Sequence, residues 1–105
     1  MHMTIQQRAA QFWAVLAFAV RTQQIVTYSL MERLTGIPSY AQADTLGVIA
    51  QYCKRQDFPL LTVLVVSEQT GLPMAGIMEP LAALQEQARV FAFDWLGQKF
   101  PDFES

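Results

Sequence analysis

The residues that could carry out chemistry are few in this chain of 105 residues, and they lie far apart. The one cysteine, Cys53, lies on the apolar stripe of a predicted helix, and the one histidine is His2. A nucleophilic cysteine needs a nearby base and partial exposure to solvent, so the sequence predicts a structural thiol. With one Cys and one His, the chain also offers no metal-ligand set and no intramolecular disulfide.

The carboxylates and glycines are scattered in the same way. Six acidic residues lie on separate predicted elements and lack the spacing of an acid–base pair or a calcium loop: Asp44, Asp57, Glu68, Glu79, Glu86 and Asp94. The segment Gly71–Gly76 has two glycines but no Lys, Ser or Thr in a phosphate-binding pattern, and it predicts a turn. We therefore expect a protein that is not an enzyme and binds no cofactor or metal.

The composition bears on the remaining classes of function. Hydrophobic residues make up 52% of the chain and charged residues 15%, and seven Lys and Arg against nine Asp and Glu give a net charge of −2. A basic surplus that would attract nucleic acid is therefore missing. The longest apolar run, Phe12–Val20, is far shorter than the roughly 20 residues that span a membrane, and no secretory signal precedes it. We expect a cytoplasmic protein without a membrane segment.

The pattern of apolar residues predicts one mostly helical α+β domain over residues 1–105. A first helix is predicted over 4–22, a short strand over 24–27, and a second helix from Thr27, where Ser29 and Glu32 have the spacing of a capping box. Gly36 and Pro38 predict its end. A third helix follows from Ser39 to about Gln56, so that the turn between the two has the length found in helix-turn-helix motifs.

The second half of the chain predicts a small sheet and an added helix. The run Leu60–Val66 is apolar and β-branched, which is typical of a buried strand, and the residues after Ser67 predict a turn. Glu79-Pro80 begins a last helix that Gly97 ends. Its apolar residues recur at heptad spacing and predict an inward-facing seam: Leu81, Leu84, Ala88, Phe91 and Trp95. The apolar tail after Phe100 predicts a segment that folds back on the domain.

Several segments, in this order, resemble the DNA-binding part of the DNA alkyltransferase and alkyltransferase-like family. Thr27-Tyr28-Ser29-Leu30-Met31 is similar to the Thr-Tyr-Gly-x-Ile/Leu-Ala segment that opens the first helix of that family's winged helix-turn-helix domain, and Ile37-Pro38 matches its turn. Asp44-Thr45-Leu46-Gly47 stands where the family has Arg-Ala-Val-Gly. The resemblance covers about Phe12–Gly71 and implies a winged-helix-like fold. The chain also loosely resembles small uncharacterised bacterial and phage proteins.

The departures from that family concern its chemistry. Pro59 falls where the family's Pro-Cys-His-Arg begins, but Leu60 follows in place of the nucleophilic cysteine. Asp44 replaces the arginine that intercalates behind a flipped base, and a carboxylate there would repel phosphates. The resemblance therefore implies the fold without the alkyl transfer.

Two candidate binding surfaces remain. Twelve aromatic and twelve Gln residues give a composition typical of interface cores, and the first helix is apolar nearly all round, so we expect a protein partner or a homodimer. The candidate interface residues are Phe12, Trp13, Val15 and Phe18, with Ala19 beside them. The alternative is DNA or RNA binding through the helix 39–56 and a wing near 67–72. Its candidate residues are Gln42, Thr45, Gln51, Lys54 and Arg55.

Overall fold

Four α-helices and a two-stranded sheet make up the part of the chain that the computed structural model describes, residues 3–73 and 78–103. The predicted class, α+β and mostly helical, is confirmed. The elements are α1 (Ile5–Arg21), β1 (Val26–Thr27), α2 (Tyr28–Thr35), α3 (Gln42–Gln56), β2 (Val65–Val66) and α4 (Pro80–Ala92), with 3₁₀ helices at Ser39–Ala41 and Leu61–Leu64.

The helix α1 begins and ends where its sequence indicates. The Thr4 hydroxyl accepts a hydrogen bond from the Gln7 amide (3.1 Å), and the Gln7 side chain accepts one from the Thr4 amide (2.9 Å). This reciprocal capping box satisfies two amides that the first turn would otherwise leave unpaired. The helix packs mainly on α3 and buries seven residues: Ala9, Phe12, Trp13, Leu16, Ala17, Ala19 and Val20.

The start of α2 corrects one prediction. Thr27, not Ser29, caps the helix, since its hydroxyl accepts from the Leu30 amide (3.1 Å). The Ser29 amide and hydroxyl both donate to the Glu68 carboxylate, which ties α2 to the turn after β2. The predicted stop is confirmed, because Gly36 ends α2 in the left-handed conformation (φ 78°) that glycine adopts without strain.

The predicted strand over 60–66 is mostly wrong. Only Val65 and Val66 form a strand, which pairs in parallel with β1 in the register Val26 to Val65, and residues 61–64 form a 3₁₀ helix. The buried backbone of this segment finds its partners on α4: the Leu60 amide donates to Glu86 Oε2 (2.8 Å), and Gln87 Nε2 donates to the Val63 carbonyl (2.9 Å). These side chains satisfy groups that a neighbouring strand would otherwise pair.

The last helix corrects two further predictions. It buries Ala83, Gln87 and Val90, whereas Leu81 and Leu84 of the predicted seam are exposed, as is Ala88. It ends at Ala92 rather than at Gly97, because Phe93 is already extended. The predicted start is confirmed, with Pro80 in the first turn.

After β2 the chain turns back. Val66 forms an antiparallel bridge with Pro73, and the Ser67 amide donates to the Leu72 carbonyl (2.9 Å). The predicted turn is thus present as far as Pro73, while 74–77 lie outside the described residues. The C-terminal tail folds back as predicted, with Pro101 and Phe103 buried and Phe100 exposed.

Candidate functional site

The segment after α4 anchors itself in an aromatic cluster. The Trp95 ring lies 4.6 Å from Phe93 and 5.4 Å from Trp13, both in edge-to-face geometry. Its indole Nε1 donates to the Val90 carbonyl (2.8 Å), which accepts at the end of α4. A buried Trp with its N–H satisfied fixes the direction in which the following residues leave the core.

A tight turn then directs Leu96 outward. Asp94 Oδ1 accepts from the Gly97 amide (2.9 Å), and the Gln98 amide donates to the Trp95 carbonyl (3.2 Å). A β-carbon at residue 97 would overlap the exposed Asp94 carboxylate, so a larger residue there would have to displace that side chain from the turn. Within this turn Trp95 is buried and Leu96 is exposed.

Leu96, Phe18 and Phe100 meet around one groove between α1 and this segment. The three side chains are 64%, 66% and 57% exposed. The groove has a volume of about 420 Å³, and Trp13, Ala14, Ala17 and Trp95 also line it, with Arg21 and Gln98 as its polar members. We call it the Phe18 groove. An apolar groove of this composition can receive apolar side chains, and it carries no acid–base pair among the described residues.

The predicted interface residues differ in their exposure to solvent. Phe18 is exposed at the groove, and Val15 is partly buried. Phe12 and Ala19 are buried inside the domain, and Trp13 is 3% exposed, so its ring reaches the groove only as part of the floor. Their expected role in contacting a partner is therefore corrected to a core role.

Sequence reasoning missed Ala14, Leu96 and Phe100 as surface residues of this groove. The sequence pattern predicts Phe100 in the folded-back tail and Leu96 near the end of the last helix. Gly97 directly after Trp95-Leu96 was the available signal, since glycine favours a turn there and not a continuing helix.

Two of the five nucleic-acid candidates are buried, although binding through α3 would require them on its exposed face; this part of the prediction is wrong. Gln42 is 0% exposed, and its Nε2 donates to the carbonyls of Tyr28 (3.0 Å) and Ile37 (3.1 Å). It thereby holds the turn between α2 and α3 against the start of α2. Thr45 is also 0% exposed. Neither side chain can contact a nucleic acid in this structure.

The other three candidates, Gln51, Lys54 and Arg55, are exposed on α3. Arg55 lies over the ring of Tyr52, 5.9 Å from its centroid, at the distance of a cation–π contact. Asp44 is exposed in the first turn of the same helix. The exposed face of α3 thus combines two cations near its end with a carboxylate at its start.

The Cys53 thiol is buried between α3 and the segment 60–64. Burial, and to a smaller extent the nearby Glu86 carboxylate, raise its pKa from 9.0 to about 11, against backbone hydrogen bonds at Leu61 and Cys53 that lower it. At neutral pH the thiol is therefore protonated and poorly nucleophilic. Glu86 itself accepts from Arg89 (2.9 Å), so the cleft beside Cys53 presents an engaged carboxylate.

Within the described ranges, no group of three or more His, Cys, Asp or Glu side chains is arranged to hold a metal ion. The helices described there also include none that is long and apolar enough to cross a bilayer.

Comparisons with known proteins give no relative for this chain. No protein-family model, curated protein or solved structure matches the chain significantly. The inference of function therefore depends on the geometry of the site.

Proposed function

We propose that this chain is a non-enzymatic protein-interaction module that binds its partner in the Phe18 groove. The observation that carries the proposal is the convergence of three large, exposed apolar side chains, Phe18, Leu96 and Phe100, on one groove. Exposing so much apolar surface at one place is unfavourable in water, and such patches mark interaction sites.

The lining of the groove favours a protein partner over a small polar ligand. Interface cores are depleted in charge and enriched in aromatic residues, and the groove combines Phe18, Phe100 and two Trp rings with one charged residue, Arg21. A site for a small polar ligand would instead add several convergent polar groups. The function would then be that of an accessory, regulatory or inhibitory protein, in the cytoplasm of a bacterium or encoded by a phage.

The fold that we propose for this module is winged-helix-like. The order α1, β1, α2, α3, β2 and the turn 67–72 supports it. The parallel pairing of β1 with β2 is the first feature to check in an experimental structure of the chain, because it defines the small sheet of the proposed fold.

The protein-binding function is tested by capture of partners from the cells that express the protein. Tagged wild type, Phe18→Glu and Leu34→Glu are compared by quantitative mass spectrometry; Leu34 is 55% exposed on α2 and is absent from the groove lining, which makes it a matched control. We expect proteins, or further copies of the chain, that are lost with Phe18→Glu and retained with Leu34→Glu. Equal capture by all three would contradict the proposal.

The second candidate function is DNA or RNA binding through α3. Its support is the exposure of Gln51, Lys54 and Arg55 on the second helix of a helix-turn-helix order. A gel shift at low salt separates the two functions, because phosphate contacts release counterions and make binding fall steeply with salt. Tight binding of this kind, abolished by Lys54→Glu with Arg55→Glu, would favour nucleic acid over the Phe18 groove.

A further inference from the structure

The exposed face of α1 alternates small and large residues. Ala14 and Phe18 are exposed one turn apart, and Arg21 follows at the next turn. Residues three and four apart share a helix face, so these side chains form one ridge along the edge of the Phe18 groove. A large side chain next to a small one is a self-complementary shape, since the ring of one copy fits over the alanine of another.

We propose that the occupant of the Phe18 groove is a second copy of this chain, with α1 packed antiparallel on α1 of its partner so that Phe18 of each copy lies over Ala14 of the other. This inference rests on the proposed function and names the partner. The contact is isologous, because the same surface serves both copies and the pair closes without exposing a further site.

The antiparallel register determines which polar residues face each other across the contact. When Phe18 faces Ala14, residues whose numbers sum to 32 oppose each other, and Arg21 faces Gln11 of the partner rather than a second Arg21. Gln11 is partly buried on α1. The pairing therefore places Arg21 opposite an uncharged residue at each end of the contact and avoids like charges, which would be unfavourable.

The exposed apolar area is sufficient for the centre of a dimer interface. A free Phe side chain exposes about 150–250 Å², so the exposed fractions of Phe18 (66%) and Phe100 (57%) correspond to on the order of 100 Å² each. With Leu96 this gives on the order of 600 Å² over two copies. Stable interfaces bury about 1,200–2,000 Å² in total, so this apolar centre supplies about half of a small interface, and a rim with Ala14, Arg21 and Gln98 contributes further area.

An alternative surface for self-association lies on α4. Leu81 and Leu84 are 60% and 64% exposed on that helix, but the patch has two large side chains against three at the groove. We therefore assign the dimer contact to α1.

The oligomeric state is measured by light scattering and sedimentation equilibrium over a micromolar concentration series. We expect wild type to be dimeric, and Phe18→Glu and Leu96→Glu each to raise the dissociation constant at least about 100-fold, as truncation of a central interface residue does. Both side chains are exposed, so far-ultraviolet circular dichroism should show unchanged folding. Leu84→Glu is the matched control and should remain dimeric; a dimer lost with Leu84→Glu and kept with Phe18→Glu would overturn the assignment.

The register is measured by cross-linking. Gln11→Cys and Arg21→Cys proteins are mixed and treated with a short bis-maleimide, with wild type, whose Cys53 is buried, as the background control. Antiparallel packing predicts a product between the two variants and little product from either alone. Products from each variant alone, without the mixed product, indicate parallel packing and would overturn the register.

Failure of this inference is distinguishable from failure of the proposed function. A wild type that stays monomeric at high micromolar concentration overturns the dimer. If foreign proteins are still captured in a Phe18-dependent way, the protein-binding function stands with a different partner. If nothing is captured through Phe18, the function falls with the dimer.

Discussion

The helices α1 and α4 bury faces of different chemistry. The inward face of α1 consists of large apolar residues such as Phe12 and Leu16, both 0% exposed. The inward face of α4 consists of Ala83, Gln87 and Val90, while its large residues Leu81 and Leu84 remain in solvent. Burial of apolar area therefore orients α1, whereas it does not explain which face of α4 is buried.

The orientation of α4 follows from the hydrogen-bonding needs of the irregular segment 60–64, against which the helix packs. A buried 3₁₀ helix leaves backbone groups without the partners that a strand would have, and each unpaired buried group costs about 1–3 kcal/mol. Glu86 accepts from the Leu60 amide and Gln87 donates to the Val63 carbonyl. Turning α4 by roughly a third of a turn would bury the leucines and break both bonds. Hydrogen-bond satisfaction can therefore decide which face of a helix is buried.

The largest effect is expected on α1. Phe12→Ala should lower the free energy of unfolding by about 3–5 kcal/mol, because it removes a fully buried ring and leaves a cavity. Phe18→Ala on the same helix should cost less than about 1 kcal/mol, since its ring is 66% exposed. Urea unfolding of both variants at low protein concentration measures the difference, and comparable losses would contradict the assignment of the two faces.

On α4 the decisive substitution is polar. Gln87→Leu keeps the volume of the side chain but removes the donor to the Val63 carbonyl, and we expect a loss of about 1–3 kcal/mol in the free energy of unfolding. Gln85→Leu on the exposed face is the matched control and should change it by less than about 0.5 kcal/mol. A Gln87→Leu protein as stable as wild type would show that apolar burial orients α4 after all.

The Cys53 thiol, whose pKa Glu86 of α4 also raises, makes the free energy of unfolding depend on pH. Its pKa is raised from 9.0 to about 11 in the folded protein. As pH rises from about 9 to 11, the unfolded chain releases the proton while the folded chain retains it, so this group lowers stability across that window. We expect on the order of 1–2 kcal/mol. The difference between wild type and Cys53→Ala in urea midpoints at alkaline pH isolates the effect, and a difference independent of pH would refute it.

The smallest effect is expected at the exposed leucines of α4. Leu84→Glu should change the free energy of unfolding by less than about 0.5 kcal/mol, because the side chain is 64% exposed and leaves the two backbone contacts intact. Thermal unfolding followed by circular dichroism is sufficient to measure it. A loss of several kcal/mol would mean that the seam faces inward in solution.

The candidate site could be anticipated from the sequence only in part. Phe18 could be predicted as an exposed apolar residue because the second half of α1 is apolar on more than one side. Leu96 and Phe100 could not, because their exposure depends on the turn that Asp94 and Gly97 form beyond the end of α4. The burial of Gln42 could not be predicted, because a polar residue predicts an outward face unless its buried hydrogen-bond partners are known. Thr45 is buried without a hydrogen-bond partner for its hydroxyl among the described residues, which the sequence pattern does not predict either.

The sequence by itself determined the elements whose causes are local. The start of α1 near residue 4, the stop at Gly36 and the start at Pro80 each depend on a few neighbouring residues, so local patterns were sufficient to predict them. The tertiary structure decided the 3₁₀ helix in place of a longer strand, the buried face of α4 and the walls of the Phe18 groove. The deciding bonds join residues 24 and 26 positions apart, and a periodic pattern within one segment contains no information about partners at that distance.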